Sequence, residues 1–219
     1  MRMIQQMISW LPQLLNGAKI TILLTLCAVS MGLLLSIFLA LGKMSKNKIL
    51  SGICSVYIFF FRGTPLLMQL YFIYFGLPQI NMALTINSRF FAAFLAFSLN
   101  SAAYCSEFIR AAIQSIDRGQ FEASKALGLS KAQTMRLVIF PQSIRRLVPS
   151  VANEFIMVLK DASLVSIIAL ADLTKVTRAI SSSTGTAMVY IPAMMIYLIM
   201  TAFFEFIFRR VETKFSRYE

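Results

Sequence analysis

With 219 residues, 58% of them hydrophobic and only 14% charged, and a mean hydropathy of +0.73, the chain lacks the ionisable side chains that cover a water-facing surface, because soluble domains carry about 25% charged residues. It reads as a single membrane domain with room for five spans of about 20 apolar residues each. The 21 Lys and Arg against 9 Asp and Glu give +12, which on so apolar a chain points to cytoplasmic loops rather than nucleic acid.

In chain order, residues 3–15 mix apolar side chains with glutamines and Trp10, a pattern for a short helix in the outer interface or for a frayed end. Residues 20–42 are uncharged and lead into Lys43, Lys46 and Lys48, so the first span is placed at 18–42 with a basic exit loop. It is too long for a signal-peptide core, no small-residue cleavage pattern follows, and it is expected to stay uncleaved. Residues 49–88 hold a single charge, Arg62, followed by Gly63 and Pro65 and then by the turn-prone Gly76, Pro78 and Asn81. This predicts one long, interrupted span at 49–75; the competing division into two short spans either side of Arg62 would invert everything downstream. A third span follows at 89–113, with Glu107 and Arg110 at the interface. The fourth, 147–171, carries Glu154, Lys160 and Asp161 in its middle, and the fifth, 187–208, has Glu205 near its end and stops at Arg209 and Arg210.

The expected fold class is therefore all-α and polytopic, with five transmembrane helices. Basic residues test the arrangement, because they collect on the cytoplasmic side. With the N-terminus outside and the C-terminus inside, fourteen of the 21 fall in cytoplasmic segments and five in outer ones. Histidine is absent, which removes imidazole from any metal site, proton shuttle or nucleophile-activating pair. Cys27, Cys54 and Cys105 lie far apart in apolar runs, where a thiol acts as a small hydrophobe.

The loop at 114–146 is longer than a helical hairpin needs and is patterned. Residues 120–127 are rich in helix formers, and Gly128 follows where a left-handed residue would end the helix. Ser130 and Gln133 then form a capping box that starts a second helix running towards Pro141. Leu127, Leu129, Met135, Leu137 and Val138 give the pair an apolar side. It either rests on the membrane surface or docks on another protein.

Glu122, Ala123 and Ser124, three residues, Gly128, nine residues, then Val138, Phe140 and Pro141 resemble the EAA loop of binding-protein-dependent ABC importer permeases. That pattern is Glu-Ala-Ala, three residues, Gly, nine residues, Ile, any residue, Leu-Pro. Ser124, Val138 and Phe140 replace its second alanine, its isoleucine and its leucine, keeping size or hydrophobicity. Phe61-Arg62-Gly63-Thr64-Pro65, residues 100–104, Asn153-Glu154-Phe155 and Lys160-Asp161-Ala162-Ser163-Leu164 further resemble the polar amino-acid subfamily, and the likeness covers nearly the whole chain after residue 15. The resemblance implies a type I importer architecture in a bacterial inner membrane. It implies a coupling helix, with Glu122, Ala123, Ser124, Gly128 and Pro141, that enters a cleft on an ATP-binding subunit present in two copies. It also implies a second permease chain, identical or related, and an extracytoplasmic substrate-binding protein. No Gly-rich segment ends in Gly-Lys-Ser or Gly-Lys-Thr, so no P-loop cradles nucleotide phosphates here; ATP and Mg are expected on the partner, and this chain is expected to catalyse nothing.

Charges at membrane depth require partners or a watery cavity, which makes Glu154, Lys160 and Asp161 candidates for substrate contact. Residues seven apart lie nearly on one helical face, so Glu154 and Asp161 share one face while Asn153 and Lys160 share its neighbour. The carboxylates could take the ammonium of an amino acid, and N–H groups at a break near Gly63 and Pro65 its carboxylate, with the Thr64 hydroxyl beside them. Asn100 and Tyr104 complete the set. The alternatives are structural: an ion pair of Asp161 with Arg62, or of Lys160 or Asp161 across a dimer, a cap by Asp161 and Ser163 after a kink, and helix-to-helix bonds by Asn100, Ser101 and Tyr104. The function expected is a permease subunit of an ATP-driven importer of polar amino acids. An ion-gradient-driven transporter and a non-transporting anchor for an ATPase are the rivals.

Overall fold

A computed structural model describes residues 2–216 and is all-helical, with no strand among the described residues. Helix α1, Arg2–Lys43, has 42 residues and passes Pro12 without a break, a length of about 63 Å. Residues 3–15 are thus the N-terminal continuation of the same helix, neither a separate interfacial helix nor a frayed end. Tertiary packing holds them: Trp10 and Leu14 are buried in the main apolar cluster. At Gly17 a Cβ would stand only 2.9 Å from the Asp172 carbonyl and the Leu173 Cα, and Thr21 Oγ1 accepts the Leu173 N–H at 3.2 Å.

Helix α2, Lys48–Gly63, is capped by Asn47, whose side chain accepts the N–H groups of Ile49 and Leu50. Thr64 and Pro65 are extended, and α3, Leu66–Tyr71, leaves at a bend of 104°. A π-helical turn, Phe72–Gly76, carries it into α4, Leu77–Ile80. The interruption stands where Gly63 and Pro65 predict it, but helix continues to Ile80 rather than ending near Phe75, because the π turn before Pro78, in which the Leu77 N–H reaches back to the Phe72 carbonyl, absorbs the donor that proline lacks.

Helix α5, Arg89–Gln114, starts at its Ser88 cap and runs through the residues expected for the third span. It is the central helix. Ala92, Ala93, Ala96, Ala102 and Ala103 are buried along it, and small side chains are what let membrane helices approach closely. Opposite them, a Cβ on Gly32 of α1 would meet Ser101 Cβ at 2.8 Å.

Helices α6, Arg118–Ala126, and α7, Lys131–Thr134, form the connecting element. A π-helical turn, Met135–Ile139, joins α7 to α8, Phe140–Asp161. The second loop helix therefore does not stop at Pro141; it runs on as α8. The π turn is the reason: the Phe140 N–H reaches back five residues to the Met135 carbonyl, and this wider register absorbs the donor that proline lacks. Regular helix begins before the expected 147 and ends at Asp161. Ala162–Ile168 are 3₁₀, and Ala169 is left-handed at φ 58°.

Asp172 caps α9, Leu173–Thr184, through the N–H groups of Thr174 and Lys175, and left-handed Gly185 ends it. After a 3₁₀ turn at Ala187–Val189 comes α10, Tyr190–Ser216, longer than the expected 187–208. Phe155 of α8 packs against Phe204 and Phe208 of α10, with ring centroids 4.6 and 5.3 Å apart. Two described helices, Gln5–Lys43 and Ala187–Lys214, are long and apolar enough to cross a membrane alone, and the bent α2–α4 pair adds a third. The other two long helices, α5 and α8, fall below that apolarity because they carry the polar and charged residues of the interior.

Candidate functional site

The break after α2 creates a problem that the neighbouring side chains solve. Its last carbonyls have no helical donors, since Pro65 has no N–H, and in a membrane they cannot turn to bulk water. Gln69 of α3 folds back on them: Nε2 donates to the Phe61 carbonyl at 2.9 Å, the Thr64 carbonyl at 3.0 Å and Thr64 Oγ1 at 2.8 Å. Asn100 of α5 donates from Nδ2 to the Phe61 carbonyl at 3.0 Å and to Gln69 Oε1 at 2.9 Å. The bend is thereby fixed to the central helix. Gln69 is absent from the sequence-derived candidates, although an amide in an uncharged run four residues after Pro65 is a visible signal.

Beside this stitch lies a cavity of about 360 Å³, lined by Arg62, Thr64, Asn100, Tyr104, Glu154 and Asp161, with Phe97 and Val158 among its apolar walls. Five of the six candidate substrate residues thus meet around one space. The sixth, Lys160, is exposed and forms no part of the lining. Seven-residue spacing explains both placements: Glu154 and Asp161 face the cavity, whereas Asn153 and Lys160 face away together. Glu154 is only 4% exposed and lies beside the Ser101 hydroxyl of α5.

The Arg62 guanidinium sits 5.2 Å from the centre of the Tyr104 ring, a cation–π arrangement. Its Nη1 lies 3.8 Å from Glu107 Oε2. Glu107 also binds Lys43 Nζ at 2.7 Å and Arg110 Nη2 at 2.8 Å, so three cations converge on one carboxylate. Arg62, Gly63 and Tyr104 line a second cavity of about 350 Å³ that Lys43 enters from the other side. They form the wall between the two spaces. Arg62 pairs here with Glu107 rather than with Asp161.

The connecting element is held by local hydrogen bonds. Asp117 caps α6 through the Gly119 N–H. At its other end Gly128 has φ 75°, its N–H donates to the Lys125 carbonyl, and the Leu129 N–H donates to the Ser124 carbonyl; this is a Schellman stop. Ser130 and Gln133 then form both bonds of a capping box. Glu122 and Ala123 are on the exposed side, Ser124 is buried with its hydroxyl donating to the Gln120 carbonyl, and Leu127 at the tip is 80% exposed. Gln142 of α8 donates to Gln120 Oε1 at 3.2 Å, which ties α6 to α8. From Lys131, just after the Ser130 cap, to Asp161 the chain is a continuous helical run, so the segment that follows the exposed Leu127–Gly128 turn and the Glu154–Asp161 wall belong to one rod.

Residues 32–217 match the model of the family described as the binding-protein-dependent transport system inner membrane component. The chain belongs to this family. Among relatives of this permease, the putative glutamine transport system permease protein GlnP of Rickettsia bellii is 39% identical over 97% of this chain and 98% of its own length. The arginine transport system permease protein ArtQ of Bacillus subtilis is 39% identical over 93% of each chain. In structure, the permease superposes with a TM-score of 0.90 on a chain from the crystal structure of an amino acid ABC transporter with histidines, 42% identical over 96% of this chain and 97% of that one. The inward-facing MetNI methionine ABC transporter, only 18% identical, shares the fold at a TM-score of 0.77 over 94% of this chain. The chain is thus a multi-pass membrane permease, and the capped, glycine-stopped element between α5 and α8 falls inside the matched region.

Proposed function

We propose that this permease is the membrane subunit of an ATP-driven importer of polar amino acids in a bacterial inner membrane. Five crossings, with the N-terminus outside and the C-terminus in the cytoplasm, agree with the distribution of basic residues. In the proposed complex it pairs with a second permease chain, identical or related, and two ATP-binding subunits grip the α6–α7 element of each permease through Glu122, Ala123, Ser124, Gly128 and the segment leading to Pro141. ATP and Mg belong to those subunits, and an extracytoplasmic binding protein delivers the ligand. The names of the relatives, which include glutamine and arginine permeases, support the amino-acid assignment.

The observation that carries this reading is the helical run from Lys131 to Asp161, which starts beside the exposed Leu127–Gly128 turn and ends at two cavity carboxylates. A tilt imposed at the tip moves Glu154 and Asp161 relative to α2 and α5, which is how nucleotide-driven closure exchanges access between the two sides. The cavity suits the charges of a zwitterion: Glu154 and Asp161 face an ammonium or cationic side chain, Arg62 can meet a carboxylate, and Thr64, Asn100 and Tyr104 offer hydrogen-bonding groups. Its volume is within the range of about 300–1,000 Å³ typical of small-molecule sites. Lys160, on the outer face of the rod, is assigned to the surface shared by the paired permeases.

The test is uptake of labelled amino acids into vesicles holding the complete importer, with ATPase activity measured in parallel. Glu154→Gln and Asp161→Asn are expected to cut uptake at least about tenfold, since each removes a charge from a desolvated site, while the complex still assembles. Uptake that persists without ATP and collapses with an uncoupler would establish a gradient-driven transporter instead; ATPase without any solute flux would establish an anchor.

A further inference from the structure

A third cavity, about 480 Å³, lies away from the proposed substrate path, between α1, α5 and the α7–α8 junction. Leu33, Ile37 and Leu41 form one wall, Ile109, Ala112 and Ile113 another, and Ala132, Met135, Arg136 and Phe140 the third. Apart from Arg136, the only hydrogen-bonding side chain in it is that of Ser143, which is buried and whose hydroxyl already donates to the Ile139 carbonyl. The interior is thus a greasy slot with one cationic side chain.

Three observations say what fills it. The slot is continuous with the lipid-facing side of α1: Ile37 and Leu41 belong to its lining, and Leu34 and Phe38, exposed on the same helix, flank them. Leu41 is two residues from Lys43, at the basic end of the first span, where the anionic surface of the inner leaflet lies. Arg136 is exposed and has no ion pair among the described residues. It stands in the π-helical turn that links the exposed tip to α8.

We propose that this slot binds an anionic phospholipid of the inner leaflet, with an acyl chain between α1, α5 and the π turn and the phosphate on Arg136. The occupant is a lipid because the opening faces the apolar side of α1; its head group is anionic because the lone charged side chain in the lining is a guanidinium. The lipid braces the π turn against α1 and α5, and so stiffens the joint through which motion of the tip reaches α8. The assignment of leaflet rests on the cytoplasmic placement of α6–α7 proposed above.

Native mass spectrometry of the purified importer, supplied with equal phosphatidylglycerol and phosphatidylcholine, reads the site directly. The wild type is expected to retain phosphatidylglycerol in preference, Arg136→Lys to keep that preference, and Arg136→Gln to lower it about fivefold, the worth of one basic residue at an anionic surface. Ala132→Phe, which fills the slot from its exposed edge, is expected to reduce retention of both lipids. Equal retention of the two lipids by the wild type, or no change in Arg136→Gln, overturns the proposal. So does loss of the ATP-binding or second permease chain in Arg136→Gln with lipid retention unchanged, because the slot would then be a protein interface. Labelling of Lys131→Cys from either side of the membrane reports the orientation separately, so a failed leaflet assignment is distinguishable from a failed lipid site.

Discussion

Gly128 and Ala169 both hold left-handed backbone, at φ 75° and 58°, and the two positions call for opposite substitutions. No atom lies within 4 Å of where a Cβ on Gly128 would stand, so a side chain there costs backbone strain alone, about 1–2 kcal/mol and more for a β-branched residue. Gly128→Val is expected to leave membrane insertion intact while breaking the Schellman stop, so that ATP hydrolysis proceeds with uptake reduced severalfold or more. Gly128→Asn is expected to transport nearly as well as the wild type, because asparagine tolerates this conformation. Paired ATPase and uptake assays on the two variants separate a backbone requirement from a general intolerance of side chains. Ala169 already bears the strain that Gly128 avoids. Ala169→Gly is expected to raise stability by about 0.5–1 kcal/mol, the left-handed penalty less the entropy glycine adds to the unfolded chain; a thermal unfolding series in detergent measures it.

At the scale of elements, the joint between α2 and α3 depends on one amide. Gln69→Leu is expected to take the donor from the Thr64 carbonyl, to leave the Phe61 carbonyl with that of Asn100 alone and to remove the Gln69 acceptor of Asn100, a loss of about 1–3 kcal/mol. The matching measurement is thermal stability, with uptake expected to fall alongside it. Gln69→Glu, which keeps length but loses the donor, is expected to behave like the leucine variant. Features that depend on local sequence were readable without coordinates: the interruption at Gly63 and Pro65, the Gly128 stop and the Ser130–Gln133 box each follow from a residue and its near neighbours. Features that depend on packing were not. Residues 3–15 continue α1 because Trp10 and Leu14 meet other helices; Pro141 fails to end a helix because a π turn precedes it; Gln69 matters because a 104° bend returns it to Phe61. Lys160 sits among the apparent intramembrane charges in sequence, yet only the orientation of α8 decides that it faces away from the cavity.

Across the whole molecule, the proposed function rests on the coupling of two sites. One is an exposed tip, capped on both sides and stopped by a glycine; the other is a cavity where carboxylates of α8 face Arg62 and the stitched bend. The helical run from Lys131 to Asp161 connects them, and Gln142 holds α6 to that run. Arg62 and Tyr104 separate the cavity from the space that Lys43 enters, and Glu107 anchors this wall to the ends of α1 and α5. On the proposed reading, a force applied at the tip passes through the Gly128 turn and the Gln142–Gln120 contact into this run and so reaches the lining, provided that the tip is inside the cell, where ATP is.

That condition is open to a single direct measurement. A cysteine placed at Leu127, the most exposed apolar position of the tip, can be challenged with a membrane-impermeant maleimide in intact cells and in inside-out vesicles of a variant from which the three native cysteines have been removed. Labelling in the vesicles only, and protection when the ATP-binding subunit is co-expressed, is the predicted result. Labelling of intact cells would place the tip outside and contradict both the orientation and the coupling through α8.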